Sequence, residues 1–595
     1  MDDRPPKTLA QRNPSANRRL LVWYGFLILI IVVIVGRLFY LQVIKHDHYQ
    51  AAALNDQLKQ YSIAPERGII EAHEQGNIVP LVLNQKLYTL YADPTFIKNP
   101  AQDAVKVAAV THGDVSSYEK LMKTKNTRYV ILAKKISEDE SKQIAALKLS
   151  GVGTQGQDYR TYPQGSLASQ LLGFVNDSGQ GSYGVEQALN KELAGTPGEL
   201  KAITDASGVP LAASKDNIQV DPKNGDNVVL TIDVGMQAQM EKILANDYKK
   251  TKSKGLSAVI IDPNSGEIKA MANYPTYDPS KYQDVSDSSL FLNAAVDNAI
   301  EPGSTMKNLT TAAALDQGVI KPTTTFYDPA HWMVDGFNIT DIEEDGGAGT
   351  KSIGDILNLS LNTGATWELM QMGGGQLDSQ GRNRWYDYMV NHFQLGKQTN
   401  VEQGYESAGY VPGPNAGYAP DLKYANTAFG QGVTITAIQM AAALSSTLNG
   451  GTYYKPHLVD ETVSANGKVT TQKPTVVKRN VVKPEVSQEM QSLMEYVVDQ
   501  HYNPGGFTYL NFPAQYSVGG KTGTAQIANP NGGYYANRYN GTYAGFVGGD
   551  KPQYVIVVYN IEPNVPGYAG SYGGQPVFAD LAHMLINDFN VTPKS

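Results

Sequence analysis

Ser304 and Lys307 stand three residues apart in EPGSTMKNLT, residues 301–310, directly after the turn signal Pro302-Gly303. The run after Ser304 has helical character, so the spacing predicts both side chains on one face of a first helical turn. That placement suits nucleophilic catalysis. A serine hydroxyl is weak at its own pKa, and a neutral lysine amine beside it can take the proton. The helix N-terminus adds backbone N–H groups and positive potential where an oxyanion develops. Alone, the pattern is cheap: Ser117-x-x-Lys120 repeats it and reads as a solvated helix face.

Two further patterns accompany it. Ser360-Leu361-Asn362 offers a second hydroxyl and an amide, although S-x-N also occurs at Ser15 and Ser464, where capping or a turn accounts for it. Lys521-Thr522-Gly523-Thr524 carries the one K-T-G of the chain. Glycine and lysine there invite a phosphate-loop reading, but G-x-x-x-x-G-K-[ST] needs a glycine where Gln515 stands. The flanking Tyr516, Val518, Ala525 and Ile527 suit a strand, whereas a phosphate loop opens into a helix. S-x-x-K, a Ser/Asn motif and K-T-G together form the motif set of β-lactamases and penicillin-binding proteins.

Positioning these three pieces requires a large fold. With 595 residues and 41% apolar composition, the chain has room for two or three packed domains. A formal charge of −8 gives no broad basic surface for nucleic acid, and with no cysteine there is no disulfide, thiolate nucleophile or Cys-ligated metal. The nine histidines include no H-E-x-x-H, so neither a metal nor a cofactor is expected.

Leu20 to Gly36 is a run of seventeen residues without charge, and apolar character resumes beyond Arg37 to Ile44. A helix through residues 20–44 can span a hydrocarbon core of roughly 30 Å. Arg4, Lys7, Arg12, Arg18 and Arg19 precede it, which places segment 1–19 in the cytoplasm and the rest outside. The run exceeds a signal-peptide core of about 7–15 residues, so an uncleaved, single-pass anchor is expected.

Further along, 79–94 reads as strands broken by a turn, and Lys106 to Lys148 mainly as surface helices. A polar stretch at 212–227 marks a boundary between a domain at 45–222 and another at 223–595. In the second, runs at 256–262 and 267–273 flank the turn Pro263-Asn264-Ser265-Gly266, and three more follow at 516–526, 542–548 and 554–560. Five strands divided between the two ends predict one antiparallel sheet with helices on its faces, a helix-rich insert from about 304 to 450, and a closing helix over PVFADLAHMLINDF.

With these residues in place, the chain resembles a class B penicillin-binding protein, a monofunctional peptidoglycan D,D-transpeptidase of the division type. RLFYLQV (37–43) is similar to the exit of that family's anchor, and APERGII (64–70) to its R-G-x-I segment. YRTYPQGSLASQLLGFV (159–175) and YGVEQALNKELAGTPG (183–198) resemble its pedestal, or dimerisation, domain. GQGVTITAIQMA (430–441) and YAGFVGG (543–549) resemble the transpeptidase core. One departure follows Ile70, where EAHEQG replaces the family's Asp-Arg-Asn-Gly turn.

The resemblance implies an α/β fold: a β-lactamase/transpeptidase-like domain with a five-stranded antiparallel sheet, helices on both faces and an inserted helical subdomain. An α+β pedestal and one N-terminal transmembrane helix precede it. It further implies that Ser304 is the nucleophile, Lys307 the base, Ser360 a proton relay and Asn362 the group that orients Lys307. Lys521 would meet the donor's terminal carboxylate beside the hydroxyls of Thr522 and Thr524, and Gly523 would let the substrate lie along the strand edge. The backbone N–H groups of Ser304 and Thr524 would form the oxyanion hole. Implied partners are stem peptides of peptidoglycan, β-lactam antibiotics, a membrane glycan polymerase of the SEDS type and divisome proteins. Septal synthesis is expected, with side-wall elongation as the alternative. A membrane-anchored β-lactamase or penicillin sensor and a catalytically silent scaffold are further alternatives. A cytoplasmic segment of nineteen residues is short for a sensor's output, and a scaffold has no need of the assembled motifs.

Overall fold

The computed structural model describes residues 14–46, 49, 58–203, 218–341, 347–415, 417–502 and 506–595. Residues 1–13 of the segment read as cytoplasmic, and 212–217 of the polar boundary, lie outside them. The chain divides into two units, residues 1–65 with 196–223, and 66–195 with 224–595.

In the first unit a helix over Pro14–Phe39 continues as a π-helical turn, Tyr40–Ile44. Its stretch Arg18–Ile44, 27 residues long, is apolar enough to cross a membrane and exposed along its length. At 1.5 Å per residue it reaches about 40 Å, which exceeds the hydrocarbon core and leaves room for tilt. The unit also holds a three-stranded antiparallel sheet in the order Leu58–Ile63, Gly198–Ile203, Ile218–Val220.

The second unit contains the five-stranded sheet, in the order β2–β1–β5–β4–β3, antiparallel throughout, with β1 (Gly255–Ile261), β2 (Ile268–Tyr274), β3 (Ser517–Ala528), β4 (Tyr534–Gly548) and β5 (Pro552–Ile561). All five expected strands are present. The β1–β2 turn forms because Asp262 accepts the Asn264 N–H at 2.7 Å and Gly266 takes a φ of 83°. Alternation along β1 splits the core. Leu256, Ala258 and Ile260 face a cluster with Met240, Leu244, Phe578 and Leu581, while Val259 and Ile261 join the one containing Leu309, Met440 and Leu444. The first cluster receives the helix Val234–Thr251 and the closing helix Gln575–Asp588; the second receives α1 (Met306–Asp316), α2 (Asn362–Met372), α3 (Ala437–Leu448) and α4 (Pro484–Tyr502). Truncating one of these buried leucines to alanine costs about 2–5 kcal/mol. Strand β3, which carries the K-T-G residues, is an edge strand.

A seven-stranded sheet joins both sides of the expected 222/223 boundary, since Asn227–Asp233 pairs in parallel with Ile70–Glu74. Residues 64–70, 159–175 and 183–198, three of the segments that carry the family resemblance, meet beside it. The buried Glu186 carboxylate accepts from Arg67 Nε and Arg160 Nε, each at 2.8 Å, and Arg67 Nη1 donates to Asn190 at 2.9 Å. The departing EAHEQG still closes a hairpin, with Gln75 and Gly76 at φ 49° and 82°.

One local expectation is corrected. Residues 77–92 form one continuous strand, because Asn84 stays in register opposite Arg160, donates to the Arg67 carbonyl and accepts from Arg160 Nη1 at 2.7 Å. The stretch Lys106 to Lys148, mainly helical as expected, also holds a strand, Val130–Ile136, whose Leu132 and Ile136 join the buried cluster of Ala104 and Val107.

Candidate active site

Ser304 sits on a 3₁₀ turn, Gly303–Thr305, that runs straight into α1. It is partly exposed while Pro302, Gly303, Thr305 and Met306 are buried, so the hydroxyl is the reachable group of the turn. Gly303 adopts a φ of 57°. A side chain there would meet Thr524 O at 2.9 Å, and one at Gly430 would meet Gly303 O at 1.9 Å. The Gly303 N–H donates to Gly430 O at 3.1 Å. Pro302 O accepts from the hydroxyls of Thr305 at 2.9 Å and Thr542 at 2.7 Å, which ties the turn to β4.

Lys307 is fully buried. Its Nζ donates to Asn362 Oδ1 at 2.9 Å, to Ser360 Oγ at 3.3 Å and to the Ser360 carbonyl. Ser360 holds a φ of 59°, the left-handed conformation that turns its carbonyl toward the lysine just before α2 begins at Asn362. Two of the three motifs are therefore joined through one amine. Behind it, Glu368 of α2 accepts the Thr311 hydroxyl at 2.9 and 3.1 Å. Burial pushes this carboxyl up to about 8, opposed by the Thr311 bond and the charge of Lys307, so it holds a proton at neutral pH.

The third motif reaches the same turn by backbone contact. A side chain at Gly523 would lie 2.3 Å from Thr542 Oγ1, 2.6 Å from Pro302 O and 3.1 Å from Thr305 N. The space that a side chain would need is filled by the nucleophile turn, so glycine permits this close approach. Lys521, buried, donates to Thr522 O at 3.1 Å and Thr522 Oγ1 at 3.3 Å. Thr524 Oγ1 accepts the Gly570 N–H at 2.9 Å. Each threonine hydroxyl keeps its hydrogen to donate. The repeated patterns elsewhere do no such thing: Ser117 and Lys120 are exposed on a short helix, and Ser464 bonds Asn466 within a turn.

Two groups near the site escaped the sequence reading. His501, on α4, donates from Nε2 to Asn358 O at 3.3 Å and accepts at Nδ1 from Gln575 at 3.1 Å, the tautomer being fixed by that pair. Burial, reinforced by the Lys521 charge, pushes it down to about 4, so it stays neutral beside that lysine. Glu301 accepts from Gly432 N at 2.8 Å and the Tyr534 hydroxyl at 3.0 Å, and burial raises its carboxyl.

A family model described as the penicillin-binding protein transpeptidase domain matches residues 256–583, and one for the penicillin-binding protein dimerisation domain matches 62–230. The chain belongs to the penicillin-binding protein transpeptidase family. Among curated members it is 31% identical to stage V sporulation protein D of Bacillus subtilis over 587 residues, covering 98% of this chain and 87% of that one. It is 26% identical to peptidoglycan D,D-transpeptidase FtsI of Escherichia coli over 595 residues, covering 99% and 95%. In fold it is similar to penicillin-binding protein 2X of Streptococcus thermophilus, with a TM-score of 0.71 at 23% identity over 89% of this chain and 80% of that one. Penicillin-binding protein 3 of Mycobacterium tuberculosis, solved with ampicillin, gives a TM-score of 0.67 at 25% identity over 90% and 97%. The α/β architecture implied by the family resemblance, including the pedestal and one N-terminal apolar helix, is thereby established for this penicillin-binding protein.

Proposed function

We propose that this penicillin-binding protein crosslinks peptidoglycan stem peptides through an acyl-enzyme on Ser304, in septal wall synthesis. The observation that carries the reading is the single amine of Lys307 held by Ser360 and Asn362, on the helix that follows the Ser304 turn, itself packed against the strand of Lys521.

Ser304 Oγ attacks the carbonyl between the donor's two terminal D-alanines while Lys307, in its neutral amine form, takes its proton. The oxyanion faces two backbone N–H groups, that of Ser304 just ahead of α1 and that of Thr524 on β3. Ser360 passes a proton to the departing D-alanine nitrogen, which must be protonated to leave. Lys521 supplies charge for the donor's terminal carboxylate, with Thr522 and Thr524 donating beside it. The free edge of β3 accepts the donor backbone as an added strand. An amine of a second stem peptide then attacks the ester, the crosslink forms, and Ser304 recovers its proton. A β-lactam acylates Ser304 in the same way and leaves a slowly released ester; the ampicillin complex of the mycobacterial relative supports this. Residues 45–222 act as the pedestal and 223–595 as the transpeptidase domain.

A fluorescent penicillin should label the wild type and persist through a chase. Loss of the label within seconds would identify a β-lactamase instead. The apolar helix anchors the chain with its catalytic domain outside, where it meets a membrane glycan polymerase of the SEDS type and divisome proteins; the peptidoglycan D,D-transpeptidase relatives support the crosslinking role. A fluorescent fusion should therefore collect at midcell and lose that position when residues 20–44 are exchanged for an unrelated membrane helix. Uniform side-wall signal would support the elongation role, and midcell signal unaffected by the exchange would contradict the anchor's part in recruitment.

A further inference from the structure

The amide of Asn362 can present either its oxygen or its nitrogen to Lys307, and only the oxygen can accept from the amine. We propose that Asp341 is the positioning residue that fixes this choice, by holding the backbone of Asn362 and Thr363 against a neighbouring hairpin. The inference rests on the roles proposed for Ser304 and Lys307.

Helix α2 opens at Asn362 after Leu361, which offers no side-chain cap. Asp341, twenty-one residues earlier, supplies it. Its Oδ1 accepts the N–H groups of Asn362 and, at 3.0 Å, Thr363, and its Oδ2 accepts the Thr363 hydroxyl. Asp341 directly follows the hairpin His331–Val334/Phe337–Thr340, whose other contacts reach the same two residues. Asn362 Nδ2 donates to Thr340 O at 3.0 Å, and Trp332 Nε1 donates to Thr363 O at 3.1 Å. With Nδ2 so engaged, Oδ1 points at Lys307 Nζ, 2.9 Å away. A flipped amide would set an NH₂ group against the lysine and an oxygen against the Thr340 carbonyl, two repulsions in place of two bonds. The carboxylate thus does more than cap a helix: it keeps the backbone where that amide has one satisfactory orientation. One of its oxygens accepts both backbone N–H groups, and the other pairs with the Thr363 hydroxyl, a group that can donate or accept.

Stopped-flow acylation by a penicillin separates binding (K) from acylation (k2). Asp341→Ala should lower k2 by about 10–100-fold, the scale expected when a reacting group is misplaced by about 1 Å, with K changed less than about threefold. Asp341→Asn keeps an acceptor oxygen and should restore k2 to within about fivefold of wild type. Asp378→Ala removes an equivalent cap, the one accepting Gly381 N–H at 2.8 Å, from a helix outside the site, and should leave k2 unchanged. If Asp341→Ala melts below the assay temperature, Asp341→Ser replaces it, with k2 expected below that of Asp341→Asn. Equal k2 for wild type and the alanine or serine variant, failure of asparagine to rescue, or an equal loss in Asp378→Ala overturns the inference. A wild type that is not acylated at all overturns the reading beneath it.

Discussion

Replacing Lys307 by alanine should lower the rate of acylation by a penicillin by about 10²–10⁴-fold, the contribution of a positioned general base. Removing the side chain also leaves Ser360 O and Asn362 Oδ1 without their buried donor, so some loss of stability accompanies the loss of rate. Arginine separates the two effects. Its guanidinium keeps the charge and the donors but does not give up a proton at any working pH. Lys307→Arg should therefore be nearly as slow as Lys307→Ala, even if its melting temperature lies closer to wild type. Acylation rates and thermal melts on the three proteins check this, and an arginine variant within about tenfold of wild type would remove the base role.

A single methyl group at Gly523 should be nearly as damaging. Alanine in place of glycine ordinarily favours a strand interior by roughly 0.5–1 kcal/mol. At this position the added carbon would lie 2.3 Å from Thr542 Oγ1 and 2.6 Å from Pro302 O, inside any real contact distance. Either β3 or the Ser304 turn must retreat, and the Thr542 bond to Pro302 is in the way of both. Gly523→Ala should cost about 1–3 kcal/mol of stability. It should also slow acylation by about 10²-fold, because the nucleophile and the oxyanion donors on β3 no longer share one centre. Gly349→Ala, whose added carbon meets nothing within 4 Å, serves as the control and should behave as wild type in both assays. An acylation rate for Gly523→Ala equal to that of the control would show that the turn does not depend on this close approach.

Local pattern made much of this legible in the sequence. The five strands of the sheet, the Pro263–Gly266 turn and the closing helix announce themselves by alternation, turn residues and helical stripe, all within windows of a dozen residues. The types and order of Ser304, Lys307, Ser360, Asn362 and Lys521 likewise pointed to one chemistry. What stayed hidden depends on partners distant in the chain. Residues 77–92 looked like two strands because Asn84-Gln85 is a turn-like pair, and the ladder with residues 152–161 together with Arg67 and Arg160 holds it straight. His501 was one of nine scattered histidines until its contacts with Asn358 and Gln575 appeared, 143 and 74 residues away. Gly523 could be read as room for substrate or room for the chain itself, and its own type cannot distinguish them. Asp341 carries no motif, since an N-cap supplied from a separate hairpin leaves no local trace at the helix it caps.

The measurement that bears most directly on the account is the identity of the residue that becomes esterified. The full-length chain, treated with a penicillin and digested, should yield one peptide heavier by the mass of the drug, with the modification on Ser304, and Ser304→Ala should yield none. A modification on any other residue, or the same adduct persisting in Ser304→Ala, would contradict the convergence of the three motifs on one acyl group.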